Sequence, residues 1–200
     1  MNGAVIVETR NVNIESVIDR HLKYLPGWEC TVFHYDNFDI DNLKIDYPVK
    51  FVKLKINIKC RKDYNVLMTS KEFWESIPYD TVLVFQSDSG ILRKGIDKFL
   101  IWDWVGAPWT FQSWGGNGGL SIRTKKVMLD IIKKCTYTNI NEDVWFCNIM
   151  LKNKIGILAP RHICRQFCIE SIYELGTFAY HAIEIYFSNP LCQKIYSQYQ

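Results

Sequence analysis

The sequence predicts an α/β domain with a mostly parallel central sheet flanked by helices. Three observations predict it. Residues 4–9 (AVIVET) form a β-branched, nearly unbroken apolar run, as a strand buried on both faces requires. Helical apolar spacing follows at Ile14, Val17, Ile18, Leu22 and Leu25. Over the first hundred residues the segments come in the order strand, helix, strand, strand, helix, strand, which favours parallel strands joined by crossover helices.

Each later element has its own warrant. Pro26-Gly27 stops the first helix. Residues 29–35 and 49–54 read as the second and third strands. Residues 63–77 read as one helix, through Val66, Leu67, Phe73 and Ile77. Residues 81–86 (TVLVFQ) form a short apolar strand ending in polar residues, and residues 97–102 a short helix. Strands are expected at 104–107 and, after a turn, at 118–123, with helices at 125–134 and 142–151. From residue 155 on, the pattern assigns no elements.

Composition narrows the function. At 200 residues the chain is one domain's worth, at roughly 150 residues per domain, so we expect a single domain over residues 1–200. An apolar fraction of 48% with 22% charged residues excludes a disordered or fibrous chain. The formal charge is only +3 and the basic residues form no stripe, which argues against a nucleic-acid partner. The seven cysteines are irregularly spaced and no basic, apolar leader opens the chain, so a reducing cytoplasmic setting with free thiols is expected. His162, Cys164 and Cys168 lie close in sequence, but no CxxC pair or second cluster supports a zinc site. No apolar run reaches the roughly 18–20 residues of a transmembrane segment.

In open α/β sheets a ligand lies beyond the carboxyl ends of the strands. Glu8, Thr9 and Arg10 follow the first strand there, and Gln86, Ser87 and Asp88 follow TVLVF; the two groups meet if both strands are central. Asp88 suits a divalent cation that prefers oxygen, or equally the cap of the next turn. Gly115-Gly116-Asn117-Gly118-Gly119 is neither a dinucleotide fingerprint nor a Walker loop. It either lets backbone approach a ligand closely or forms a flexible hairpin turn. Asn141-Glu142-Asp143 either caps a helix with two acids in its first turn or carries a general base. His181 acquires a role only if the chain folds back to bring it to Asp88.

In order, ETR, VLVFQSDSG, WVGAPW, GGNGGLSIR and NEDVWF resemble a glycosyltransferase of the GT-A fold. The resemblance is greatest to small GT-A-like domains of fungi, algae and large DNA viruses, including chlorovirus enzymes that glycosylate a capsid protein. It covers residues 3–185. It implies a nucleotide-sugar donor with UDP as the expected nucleotide, a glycan or glycoprotein acceptor, and Mn²⁺ or Mg²⁺ as cofactor. It implies that Glu8, Thr9 and Arg10 touch the nucleoside, that a loop near Lys62, Asp63 and Tyr64 covers the base, and that Lys71 reaches a phosphate. Gln86-Ser87-Asp88 stands where such enzymes carry Asp-x-Asp, so Gln86 replaces the first acid and Asp88 is the principal metal ligand, with His181 completing the site. Gly118 and Gly119 match the stretch under the donor sugar; Asp143 matches the base of inverting members, with Glu142 as its competitor. Two other readings stand beside this one: a catalytically degenerate sugar- or nucleotide-binding scaffold, and a sugar nucleotidyltransferase.

Overall fold

A computed structural model describes residues 1–197 of the 200. The elements are β1 (Asn2–Val7), α1 (Ile14–Leu22), β2 (Glu29–His34), β3 (Val49–Lys53), α2 (Arg61–Met68), α3 (Lys71–Ser76) and β4 (Thr81–Phe85). They continue with β5 (Ser89–Ile91), β6 (Trp104–Gly106), β7 (Leu120–Thr124), α4 (Lys125–Lys134), α5 (Glu142–Asn153) and α6 (Arg161–Phe167). The last are β8 (Cys168–Ile169), β9 (Ala179–His181), α7 (Ile183–Tyr186) and α8 (Asn189–Ser197).

The central sheet has six strands in the order β3-β2-β1-β4-β7-β6. Strands β3, β2, β1 and β4 run parallel, whereas β7 is antiparallel to both of its neighbours, so the sheet is mixed and mostly parallel, with helices flanking it. The inner strands are apolar at successive residues because both faces are covered. On one face Ala4, Ile6, Leu83 and Phe85 pack against Ile14, Val17, Ile18 and Leu22 of α1. On the other, Val5, Val82 and Val84 pack with Met68, Phe73 and Trp74 of the α2–α3 pair, Met128 and Ile131 of α4, and Trp145 and Phe146 of α5.

Two expectations need correction. Residues 63–77 are two helices rather than one: Ser70 opens α3, its hydroxyl accepting from the Phe73 amide at 3.3 Å. A serine that caps a backbone donor competes with continuing the helix. The expected helix at 97–102 is a 3₁₀ turn over Ile96–Phe99, opened by Gly95 at φ 117°. The unassigned C-terminal region supplies β8 and β9, which join β5 in a second sheet ordered β5-β9-β8, and Leu92, Ile169, Ile183, Cys192 and Ile195 form a separate cluster. Among the described residues no helix is long and apolar enough to cross a membrane.

One consequence of this topology positions the site. The carboxyl ends of β1 and β4 lie side by side, with Ile6 paired to Phe85. Because β7 runs the other way, its amino end reaches that same edge, Leu120 pairing with Phe85. Residues 8–10, 86–88 and 118–119 therefore converge.

Candidate active site

Two adjoining cavities open at this edge. The smaller, about 280 Å³, is lined by Glu8, Thr9 and Arg10 from the end of β1 and by Ile58, Lys59 and Cys60 from the approach to α2. The larger, about 370 Å³, is lined by Asp88, Gly118, Gly119, Asp143, Glu170 and His181 among others. Arg61, Tyr64 and Gln86 line both.

The wall of the smaller cavity is a closed ion pair. The Glu8 carboxylate accepts from the Arg10 backbone amide at 2.9 Å, from Nε at 2.8 Å and from Nη2 at 2.7 Å. Burial pushes the Glu8 carboxyl up, but these bonds outweigh it and hold its pKa below the ordinary carboxylate value. Arg10 Nη2 also donates to Ser87 Oγ at 2.8 Å, so the two polar groups following β1 and β4 do meet. The Thr9 hydroxyl donates to the Ile58 carbonyl at 2.8 Å. Tyr64 stands between the cavities, its phenol raised above its ordinary value by burial.

Helix α1 secures the loop that carries Asp88. Arg20 donates from Nε to the Ser89 carbonyl at 2.8 Å and from Nη2 to the Ser87 carbonyl. The buried His21 places Nε2 3.0 Å from Ser89 Oγ and stacks on Phe85 with ring centres 4.1 Å apart. Across the larger cavity, β9 brings His181 into register with Ser89, so the late histidine does fold back. Its Nε2 lies 3.5 Å from Asp88 Oδ1 and 3.2 Å from Gln86 Oε1.

Two of the separations among these atoms, both from His181 Nε2, can be compared with those around a divalent cation. Adjacent ligands on an octahedral ion at about 2.1 Å stand about 3 Å apart, near both separations. One carboxylate, one amide oxygen and one imidazole make a partial set, and among the described residues no group of three or more His, Cys, Asp or Glu forms a full cage. Such a set would leave most of an ion's shell to other ligands.

The glycine segment is a packed floor rather than a flexible hairpin. A Cβ on Gly119 would sit 2.1 Å from His181 Nε2, and one on Gly118 would sit 2.4 Å from Glu142 Oε1. Both side chains thus lie against bare backbone. The Gly118 amide donates to Asp143 Oδ2 at 3.0 Å, and Trp104 Nε1 donates to the Gly116 carbonyl at 3.0 Å.

The two acids at the start of α5 have different environments. Glu142 accepts from Arg123 Nη1 at 2.7 Å and Nη2 at 2.9 Å, a bidentate pair whose guanidinium is fully buried and stacked 4.1 Å from the Trp104 ring centre. Burial opposes the Arg123 charge, but the Glu142 carboxylate more than offsets it and the pKa stands above its ordinary value. Among the described residues Asp143 makes no ion pair; besides Gly118 it accepts only from the adjacent Val144 amide at 2.7 Å, and both acids lie on the cavity wall.

The structure therefore brings together Glu8, Thr9, Arg10, Tyr64, Gln86, Ser87, Asp88, Gly118, Gly119, Glu142, Asp143 and His181. It does not bring Lys71, which lines neither cavity and pairs with Glu75 on the exposed side of α3 at 3.1 Å. Sequence reasoning missed Arg61, Arg123 and Glu170. Arg123 left a trace: Leu120 and Ile122 alternate with Ser121 and Arg123, so a cation faces one side of a buried strand and needs an acid. Arg61 and Glu170 left none, one at a helix start and the other in the unassigned region.

Comparisons with known proteins bear on the fold. A family profile described as "Protein of unknown function (DUF5672)" matches residues 46–182. No curated protein matches the sequence. Among 190 matching chains of solved structure is the crystal structure of the apo-form glycosyltransferase GlyE of Streptococcus pneumoniae TIGR4. That likeness has a TM-score of 0.52 at 13% identity and covers 94% of this chain but 55% of the other. The chain thus spans about half the length of that protein, and at this identity the likeness establishes the fold.

Proposed function

From the premise that the chain belongs to the DUF5672 family, we propose that it is a metal-dependent glycosyltransferase that moves a sugar from a nucleotide-sugar donor, with UDP as the nucleotide, to a hydroxyl of a glycan or glycoprotein. The observation that carries this reading is the pair of cavities joined at Arg61, Tyr64 and Gln86, with Asp88 and His181 on one side of the larger cavity and Asp143 on its wall. A nucleotide sugar has that division: a nucleoside for the smaller cavity, a sugar for the larger and a diphosphate at the junction. The glycosyltransferase structure of similar fold adds general support.

Each residue then has a task. The Glu8–Arg10 pair and Thr9 shape the nucleoside cavity. Arg61, whose side chain makes no ion pair or hydrogen bond among the described residues, takes over the phosphate role expected of Lys71. Gln86, Asp88 and His181 hold the cation, which when bound neutralises charge building on the departing diphosphate. Gly118 and Gly119 line the cavity proposed for the sugar, their missing Cβ atoms making room for Glu142 and His181. Asp143 accepts the proton of the acceptor hydroxyl, because Glu142 is held in a bidentate ion pair by the buried Arg123 whereas the Asp143 oxygens accept from neutral backbone amides. One base and no protein nucleophile make a single displacement with inversion of the anomeric carbon, through an oxocarbenium-like state.

Titration calorimetry of UDP with Mn²⁺ or EDTA tests the reading. Binding that needs the metal, and that Asp88→Ala abolishes, is expected; a protein that binds no nucleoside diphosphate under either condition refutes it. One feature favours a binding-only scaffold, namely Gln86 in place of an acid, which lowers the negative charge available to the cation. Hydrolysis of a UDP-sugar separates the two readings, since a scaffold binds without turnover.

A further inference from the structure

One part of the larger cavity is apolar and has no assigned task. Trp109 and Phe111, from the loop between β6 and β7, line it, as do Ile185 and Tyr186 of α7. Trp109 is buried, whereas Phe111 is 67% exposed and Ile185 and Tyr186 are exposed too. Phe111 lies stacked on Trp109, with ring centres 5.5 Å apart and planes 28° from parallel. One face of Phe111 thus rests on protein, and the other leaves a flat apolar surface at the cavity.

The loop holds this pair in place. Arg161 Nη1 donates to the Trp109 carbonyl at 2.8 Å and to the Gln112 carbonyl. The Asn117 amide closes the base of the loop on the Ala107 carbonyl at 2.8 Å. Gly115, at φ 72°, admits the indole: a Cβ there would sit 2.6 Å from Trp109 Cζ3 and 3.0 Å from Cys147 Sγ. Cys147 is four residues beyond Asp143 on α5, so the two share a helix face. The aromatic pair therefore stands beside the face that carries the proposed base.

Asn141 adds hydrogen-bonding capacity at the same place. It stands at the N-cap of α5, where an asparagine oxygen usually accepts from a helix amide. Its side chain makes no such bond, and it lines the cavity two residues before Asp143. A primary amide offers both donors and an acceptor, as neighbouring hydroxyls require.

We propose that Phe111, backed by Trp109, and Asn141 form the acceptor subsite, and that its occupant is the terminal sugar ring of a glycan rather than a polypeptide side chain. The assignment rests on the transferase reading above. A pyranose has an apolar C–H face and a rim of hydroxyls; the face matches the Phe111 ring and the rim matches the Asn141 amide. A serine or threonine side chain has no such face. In this pose one rim hydroxyl reaches Asp143. Its oxygen bonds to the anomeric carbon of the donor as that carbon's bond to the diphosphate breaks; UDP leaves with the electron pair and Asp143 keeps the proton.

A glycan array probed with the labelled full-length protein, with and without UDP and Mn²⁺, tests this beside an array of serine- and threonine-containing peptides. Retention on glycans that share a terminal sugar is expected. For the best-retained glycan, affinity by saturation-transfer NMR should fall roughly 3–10-fold in Phe111→Ala and by a similar factor in Asn141→Ala. Phe111→Trp keeps a flat ring and should restore binding, whereas Phe111→Leu, apolar but not flat, should not. Ile101→Ala removes an exposed apolar side chain that lines neither cavity and should leave affinity unchanged. Thermal unfolding checks that each variant is folded. No retained glycan, retention on peptides alone, or an unchanged affinity in Phe111→Ala or Asn141→Ala overturns the proposal. A parent that binds glycan through Phe111 but binds no UDP upholds the sugar subsite and overturns the transferase reading alone.

Discussion

Replacing Glu142 by alanine separates a structural acid from a catalytic one. In the parent, Arg123 is fully buried and spends its donors on Glu142, the Ser121 hydroxyl at 2.9 Å and the Gly118 carbonyl at 3.0 Å. Glu142→Ala leaves the two neutral acceptors but strips the counter-charge from a buried guanidinium. Removing one member of a buried pair costs about 3–5 kcal/mol, against a total stability of roughly 5–15 kcal/mol. For a domain of this size each kcal/mol moves the melting temperature by about 2–4 °C, so a fall of about 6–20 °C is expected. Circular dichroism with thermal and urea unfolding reads it. The double variant Arg123→Met with Glu142→Leu removes both charges and should recover at least half of the loss, because apolar replacement of a whole buried pair is often neutral. A single variant within about 1 kcal/mol of the parent, or a double variant less stable than the single, refutes the reasoning.

Three further outcomes are expected. Asp143→Asn should keep UDP affinity while turnover of the donor falls roughly 10²–10⁴-fold; near-normal turnover in a transfer or hydrolysis assay would move the base elsewhere. Gly119→Ala places a Cβ against the His181 ring, so metal-dependent UDP affinity should fall below the parent's; an affinity equal to the parent's by calorimetry would contradict the packed floor. Burial lowers the His21 pKa to about 3, so the folded state keeps this ring neutral while the unfolded chain protonates it near 6.5. Its contribution to stability is complete above about pH 6.5 and is lost as pH falls toward 3; urea midpoints of His21→Gln should therefore fall less than the parent's between those limits.

The sequence by itself determined the layered α/β architecture. The runs AVIV and VLVF are apolar at successive residues only because helices cover both faces of the sheet, and that demand is written locally. It also marked the segments after β1 and β4 as carboxyl strand ends, where a ligand is expected, but that the two strands are neighbours was decided by the tertiary structure. The break at Ser70 was not legible, because apolar spacing continues across it and the cap depends on one hydroxyl meeting one amide. The catalytic candidates were legible as residue types, but not in their roles. Glu142 and Asp143 are adjacent in sequence and line the same cavity, and only the arrival of Arg123 from β7 makes Glu142 a counter-ion and leaves Asp143 with backbone amides as partners. Likewise the tertiary structure alone set Glu170 behind His181 and removed Lys71 from the site. Those pairings join residues distant in sequence or turned away from the edge, and long-range contacts of single side chains leave no periodicity to read.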